Sequence, residues 1–332
     1  MAERSLFELL NVEKEKLDTV AVIRAAQRNP QDIDLFYNFG DKFKEIDRRC
    51  PLHQAILLGL GVDVIDALSS PVAVEQTCGQ DETPLHLACS HLEYCLDESS
   101  LDVVTLLLKK YPEAAGEVND YDQTPLHHAC ESNASLDVIS ALLDSFPDAV
   151  HYLDYCYGGE GGCTPLHRAC EGGSSLEVVS ALLDVWPDAA KKECGRGWTP
   201  VKYAVEFDAS LDMVKKLLDI WLEEEDNRTT KSVEYLQPDD NPCELLNHLY
   251  SLFENFEEGQ SNLSPDEIMA YFIHINWWNG TWLVINNYPS VIKKLHLHTS
   301  AMADFLSVAG KRCRLLTMLG LIVNEPDLLA GV

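Results

Sequence analysis

Five copies of one short pattern constrain this chain more than any other feature. CPLHQA begins at Cys50, TPLHLA at Thr83, TPLHHA at Thr124, TPLHRA at Thr164 and TPVKYA at Thr199, at steps of 33, 41, 40 and 35 residues. A second element keeps register with the first: VDVIDAL from Val62, LDVVTLLL from Leu101, LDVISALL from Leu136, LEVVSALL from Leu176 and LDMVKKLL from Leu211. It lags by 12 residues, except in the second unit, where the lag is 18. A third element, YPEAA at Tyr111, FPDAV at Phe146 and WPDAA at Trp186, closes three units. Self-similarity at this period means a stack of small units, each unable to bury its apolar face alone.

Each element dictates a piece of backbone. Thr caps a helix, Pro at the first helical position lacks only an N–H that would go unbonded there, and Leu166, Ala169 and Cys170 then share one face. In LEVVSALL, Leu176, Val179, Leu182 and Leu183 form the stripe of a second helix. The Pro of WPDAA ends that helix, because the residue before a proline is pushed out of the helical region. Polar stretches rich in Gly, Asp and Asn separate the units. Asp81, Asp122, Gly162 and Gly197, two residues before each capping Thr, are types that tolerate a left-handed turn.

Two short helices, a projecting turn and TPLHxA at the start of the first helix closely resemble the ankyrin repeat family over residues 48–224. The resemblance implies an all-α solenoid: an ankyrin stack of helix-turn-helix units with β-hairpin finger loops and helical N- and C-terminal caps. It implies that Thr83, His86, Thr124, His127, Thr164, His167 and Thr199 are structural, the histidines, with His53, bonding neighbouring loop backbone. It also implies that a partner protein docks on the concave face made by finger tips and inner helices. The candidate binding residues there are Tyr121, Asp122, Gln123, His128, Glu131, Tyr155, Tyr157, Arg168, Glu171, Arg196 and Trp198. The long finger HYLDYCYGGEGGC, from His151, reads either as an adaptable binding surface or as a loop packed on its neighbour.

The five repeats span 50–224, and repeat two carries an insertion, SHLEYCLDESS from Ser90. Residues 1–49 are expected to form an N-terminal helical cap without repeat character, with one or two helices, near 5–28 and 32–48. Trp221 is followed by Leu222 instead of Pro, so the fifth outer helix is expected to run on through EEEDN. A polar linker, 225–240, precedes a C-terminal helical cap, 241–332. Helix starts are signalled at Asn241-Pro242-Cys243-Glu244 and Ser264-Pro265-Asp266-Glu267. VINNYPSVIKK from Val284 and the close at Pro326 indicate degenerate repeat material over 284–332, with an independent helical domain as the alternative. Trp277, Trp278 and Trp282 are expected to pack there, an exposed aromatic anchor being the other reading.

CTPLHRACEGG sets His167 between Cys163 and Cys170 and invites a catalytic or metal reading. Yet Cys89, Cys130 and Cys170 share one repeated position and the histidines another, whereas catalytic residues rarely recur once per repeat. Phosphate-loop, dinucleotide, G-x-S-x-G, H-E-x-x-H and EF-hand patterns are all missing. His296 and His298 offer two ligands, too few for a zinc site. Asp102, Asp137, Glu177 and Asp212 recur at one solvated position, a repeated face and not an acid–base pair. The expectation is no enzyme, no metal and no cofactor.

The chain holds 54 acidic and 25 basic side chains, a net charge of -29, and residues 51–230 alone contribute 32 acidic and 10 basic. Such a field repels phosphate backbones and anionic lipid and attracts cationic partners. An acidic surface that only confers solubility fits the same numbers. Eleven cysteines, an odd number, and an N-terminus without an apolar leader predict reduced thiols and a cytoplasmic or nuclear location. No apolar run is long enough to insert in a membrane. The expected function is a non-enzymatic scaffold or adaptor binding another protein with a basic face, without nucleic acid. The second reading is a specificity subunit of a larger complex, such as a ubiquitin-ligase substrate receptor, with 241–332 as docking module. Oligomeric state is not legible in the sequence.

Overall fold

Ser5 opens the first helix, α1 (Leu6–Leu10), much as Thr opens the repeats. Its Oγ accepts the Glu8 N–H at 3.3 Å while the Glu8 carboxylate accepts the Ser5 N–H at 2.9 Å. This computed structural model describes residues 4–12, 16–39, 48–90, 99–155, 162–238, 242–254, 263–288 and 290–291. The chain divides into two compact units, Met1–Val214 and Lys215–Val332.

After α1 come α2 (Thr19–Arg28) and a 3-10 turn, Pro30–Asp34. Where one or two helices are expected, near 5–28 and 32–48, the described residues hold two shorter helices and a turn; residues 40–47 lie outside the described residues. Tyr37 and Arg49 then exchange backbone hydrogen bonds at 3.0 and 3.1 Å. The described part of this segment thus runs helix, helix, proline turn and backbone bridge. Glu8 stands where the motif has His, and no proline follows Ser5.

The motif copies form the inner helices α3 (Pro51–Leu57), α5 (Pro84–Ser90), α7 (Pro125–Glu131), α9 (Pro165–Glu171) and α11 (Pro200–Glu206). Their outer partners are α4 (Val62–Leu68), α6 (Ser99–Lys110), α8 (Leu136–Ser145), α10 (Leu176–Val185) and α12 (Leu211–Trp221). Inner helices pack on inner helices from α1 through α3, α5, α7 and α9 to α11, and outer on outer from α2 through α4, α6 and α8 to α10. Leu52, Leu85, Leu126 and Leu166 repeat as buried core along the inner row, each worth about 1.5–3 kcal/mol of burial.

Four inner helices end alike. Gly59, Asn133, Gly173 and Asp208 take positive φ, and the next N–H returns into the helix: Leu60 to Ala55, Ala134 to Ala129, Ser174 to Ala169 and Ala209 to Ala204. The equivalent stretch of repeat two falls in 91–98, with most of the expected insertion, outside the described residues. Outer helices break at Tyr111, Phe146 and Trp186, and the prolines after them start 3-10 turns. These turns bury Ala114 and Ala115, Ala149 and Val150, Ala189 and Ala190. Rings tie successive turns together: Trp186 lies 4.6 Å from the His151 ring, and a side chain at Gly116 would sit 3.1 Å from the Phe146 ring.

The expected β-hairpin fingers are simpler than hairpins. Cys78 and Glu82 exchange two 3.0 Å backbone bonds as an isolated bridge, and among the described residues no strand forms. Asp81, Asp122 and Gly197 do adopt left-handed φ. Gly162 serves close approach instead, since a Cβ there would overlap the Asp154 backbone.

In the second unit, α12 ends at Trp221 and does not continue through EEEDN. Asn227 Nδ2 and Arg228 Nε donate to the carbonyls of Trp221 and Leu222 at 2.7 and 2.8 Å, and Glu225–Asn227 forms a 3-10 turn. The expected linker holds a helix, α13 (Thr230–Leu236), capped by Thr229; it buries Val233 and Leu236 and packs on α14 (Glu244–Phe253). Two apolar residues in a polar stretch are too short a period to read. Cys243, not Asn241, caps α14; Asn241 lies outside the described residues. Ser264 and Glu267 make the expected capping box of α15 (Pro265–His274), followed by α16 (Trp278–Asn287). Asn276 closes α15 as Asn133 closes α7, with Trp277 N–H on the Phe272 carbonyl at 2.8 Å. Helix α16 reaches into 284–332, where degenerate repeat material is expected. Residues 292–332, with Pro326, His296 and His298, lie outside the described residues. Trp277, Trp278 and Trp282 are buried, and Trp277 Nε1 donates to Asp219 at 2.7 Å. None of the three is an exposed aromatic anchor.

Candidate functional site

The motif histidines join one unit to the next. Thr83, Thr124 and Thr164 each donate backbone N–H to Nδ1 of His86, His127 and His167 at 3.2 Å. With Nδ1 accepting, the proton sits on Nε2, which donates to the carbonyls of Gln123 (2.9 Å), Cys163 (3.2 Å) and Trp198 (3.0 Å). Each acceptor precedes the next capping Thr, so every histidine fixes the finger of the following unit. Burial pushes these three imidazoles, and His53, down to about 4. The end units differ: His53 Nδ1 faces Cys50 Sγ at 2.8 Å, and Lys202 replaces His in the fifth, where Thr199 Oγ1 is buried without a hydrogen-bond partner among the described residues.

Beneath the fingers lies a network that the motif does not announce. Asn119 Oδ1 accepts the N–H groups of Tyr121 and Gln123, both at 3.0 Å, and its Nδ2 meets His128 Nε2 at 3.2 Å. In the long finger, Asp154 takes this place. Its backbone N–H donates to the Cys163 carbonyl at 3.0 Å, and its carboxylate accepts Cys163 N–H (2.8 Å), Gln123 Nε2 (3.3 Å) and Arg168 Nε (2.7 Å). Arg168 Nη1 also donates to Glu171 at 2.6 Å. Burial disfavours the guanidinium charge, yet the bond and charge of Asp154 outweigh it and hold Arg168 protonated. Sequence reasoning missed both Asn119 and Asp154. Their one signal was a polar residue near the start of each inter-unit stretch.

This network divides the candidate binding residues. Gln123, His128 and Arg168 are committed to it, His128 being buried with its ring 5.5 Å from that of His86. Glu171 is half-buried against Arg168. Tyr121 is half-buried, and its carbonyl accepts the Tyr155 N–H at 2.7 Å, linking two fingers. Trp198 is half-buried, with Arg196 and Lys202 over its ring at 5.7 and 5.2 Å. Asp122, Glu131, Arg196 and Tyr155 face solvent, Tyr155 at 58% exposure. Tyr157 lies outside the described residues.

A family model described as ankyrin repeats in three copies matches residues 52–152 and 146–229. The chain belongs to the ankyrin repeat family. No curated protein gives a match. Ankyrin repeats are protein–protein interaction modules, and the all-α solenoid of helix pairs is the architecture expected of them.

The ankyrin scaffold also resolves the Cys/His constellation. Both His167 nitrogens are committed, to Thr164 and Trp198, and Cys163 Sγ lies 3.1 Å from Tyr203 OH in a fully buried position. Burial pushes the Cys50 thiol up to about 11 and raises those of Cys78, Cys89, Cys130 and Cys170 further. Among the described residues, no three His, Cys, Asp or Glu side chains group as metal ligands, and no helix is long and apolar enough to cross a membrane.

Proposed function

We propose that this ankyrin stack is a scaffold or adaptor that captures a basic segment of another protein across the fingers and inner-helix ends of its middle repeats. One observation carries the reading: Asp120 and Asp122 stand exposed on the finger whose Tyr121 carbonyl accepts the N–H of the exposed Tyr155, Glu131 is exposed at the end of α7, and Arg168 is spent on Asp154 and Glu171. Glu131, Glu171 and Glu206 occupy one step of α7, α9 and α11, at the helix ends where the backbone dipole is already negative. Glu171 pairs with Arg168 and Glu206 with Lys202, so in this column it is Glu131 that favours Lys or Arg from outside. The eight described cysteines form no disulfide, which supports a reducing compartment such as cytoplasm or nucleus. The repeat-like geometry of α15 and α16 supports a cap over a docking module for that segment.

Affinity purification with cross-linking mass spectrometry, comparing the native chain with Asp122→Lys/Glu131→Lys and with Tyr155→Ala, tests the reading. Capture should fall at least tenfold with unchanged thermal stability, and cross-links should map to the two fingers. Capture that ignores all three substitutions rejects it.

A further inference from the structure

A second, oppositely charged site lies on the N-terminal unit. Arg4, Arg24 and Arg28 line one cleft of about 330 Å³ between the start of α1 and the side of α2, floored by Leu9, Ala21 and Ala25. Arg24 and Arg28 are one turn apart on the same face of α2, and Arg4 comes from the segment before α1. The chain has more than two acidic groups per basic one, yet among the described residues neither Arg4 nor Arg24 pairs with a carboxylate. Asp18 also lines the cleft, but its Oδ1 accepts the Ala21 N–H at 3.0 Å as the α2 cap.

We propose that this cleft binds a phosphoryl dianion, carried by a phosphorylated side chain or by a free mononucleotide. Guanidinium groups are planar forks that bond tetrahedral oxyanions in pairs, and Arg4 and Arg24 bring two of them to one cleft from two segments. The volume suits one phosphorylated side chain or a small ligand. Leu9 and the two alanines supply an apolar floor for the carrier. This site is separate from the acidic finger surface and does not depend on it.

The test is calorimetric titration of the full chain with inorganic phosphate, with ADP, and with Gly-Ala-phosphoserine-Ala-Gly beside its Ser and Glu counterparts. The expected result is saturable binding of at least one phosphoryl probe, at least tenfold tighter than the Glu peptide and weakening below pH about 6 as the dianion takes up a proton. The tighter of the phosphopeptide and ADP identifies the source. Arg4→Glu/Arg24→Glu should abolish binding while circular dichroism and melting temperature hold, because both side chains are exposed. Arg24→Lys, which keeps charge but loses the fork, should retain only part of it. Any of three results overturns the proposal: no saturation at millimolar probe, equal binding of the Glu peptide, or binding that survives the double substitution.

Discussion

The carboxylate of Asp154, with no solvent exposure, meets Arg168 Nε at 2.7 Å across the base of the longest finger. A charge taken so far from water is held only by its partners, and removing one leaves the other buried and unpaired. Asp154→Ala should therefore cost about 3–5 kcal/mol in urea unfolding. Asp154→Ala/Arg168→Ala should cost clearly less than the two single substitutions summed, since it removes the orphan. Strict additivity would show that the pair does not hold the finger.

The four inner-row histidines predict acid sensitivity. Their folded pKa of about 4 lies below the unfolded value near 6.5, so between these pH values the unfolded chain binds more protons. Stability is then full above about 6.5 and falls on acidification toward 4, each histidine adding a slope of up to about 1.4 kcal/mol per pH unit. Desolvation raises the Glu82 and Glu131 carboxyls, which works in the opposite sense, but for two groups against four. Melting temperature should drop steeply from pH 6.5 to pH 4.5. A flat profile there would contradict the neutral state of the rings, which in His86, His127 and His167 are bonded at both nitrogens.

Adjacent glycines in EGG should respond in opposite ways. A Cβ at Gly172 would run into the Glu131 carbonyl of the preceding inner helix, so Gly172→Ala should cost about 2 kcal/mol or more. Gly173 has φ of 68° and open space around its Cβ position. Gly173→Asn should be nearly neutral, because Asn133 already adopts this conformation in the unit before. Equal costs in thermal unfolding would show that the units do not approach at Gly172.

Native alkylation should separate the thiols. Cys243 is half-exposed, whereas Cys50, Cys78, Cys89, Cys130, Cys163, Cys170 and Cys194 are buried. Iodoacetamide at pH 8 followed by peptide mass spectrometry should label Cys243 first among these, the others only after unfolding. Rapid labelling of Cys163 would reopen the nucleophile reading.

Much of this fold was legible because its signals are local. Thr-Pro starts, apolar stripes and proline stops act within a few residues, and their recurrence exposed the period, the helix pairs and the structural rank of the histidines. The N-terminal unit escaped because Glu8 does for Ser5 what His does elsewhere, a substitution that preserves the bond but erases the motif. Helix α13 escaped because only Val233 and Leu236 announce it.

The sequence by itself determined the repeat, the family and the acidic balance of the middle units. Only the tertiary structure decided which variable residues are buried at the junctions between units. Arg168, Gln123 and His128 vary like surface positions, yet Asp154 and Asn119 hold them inside, and those partners enter from the finger before or after. Periodicity records what each unit needs in order to fold. Which side chain is spent at the junction between two units depends on their packed distance, and a periodic sequence does not carry that distance.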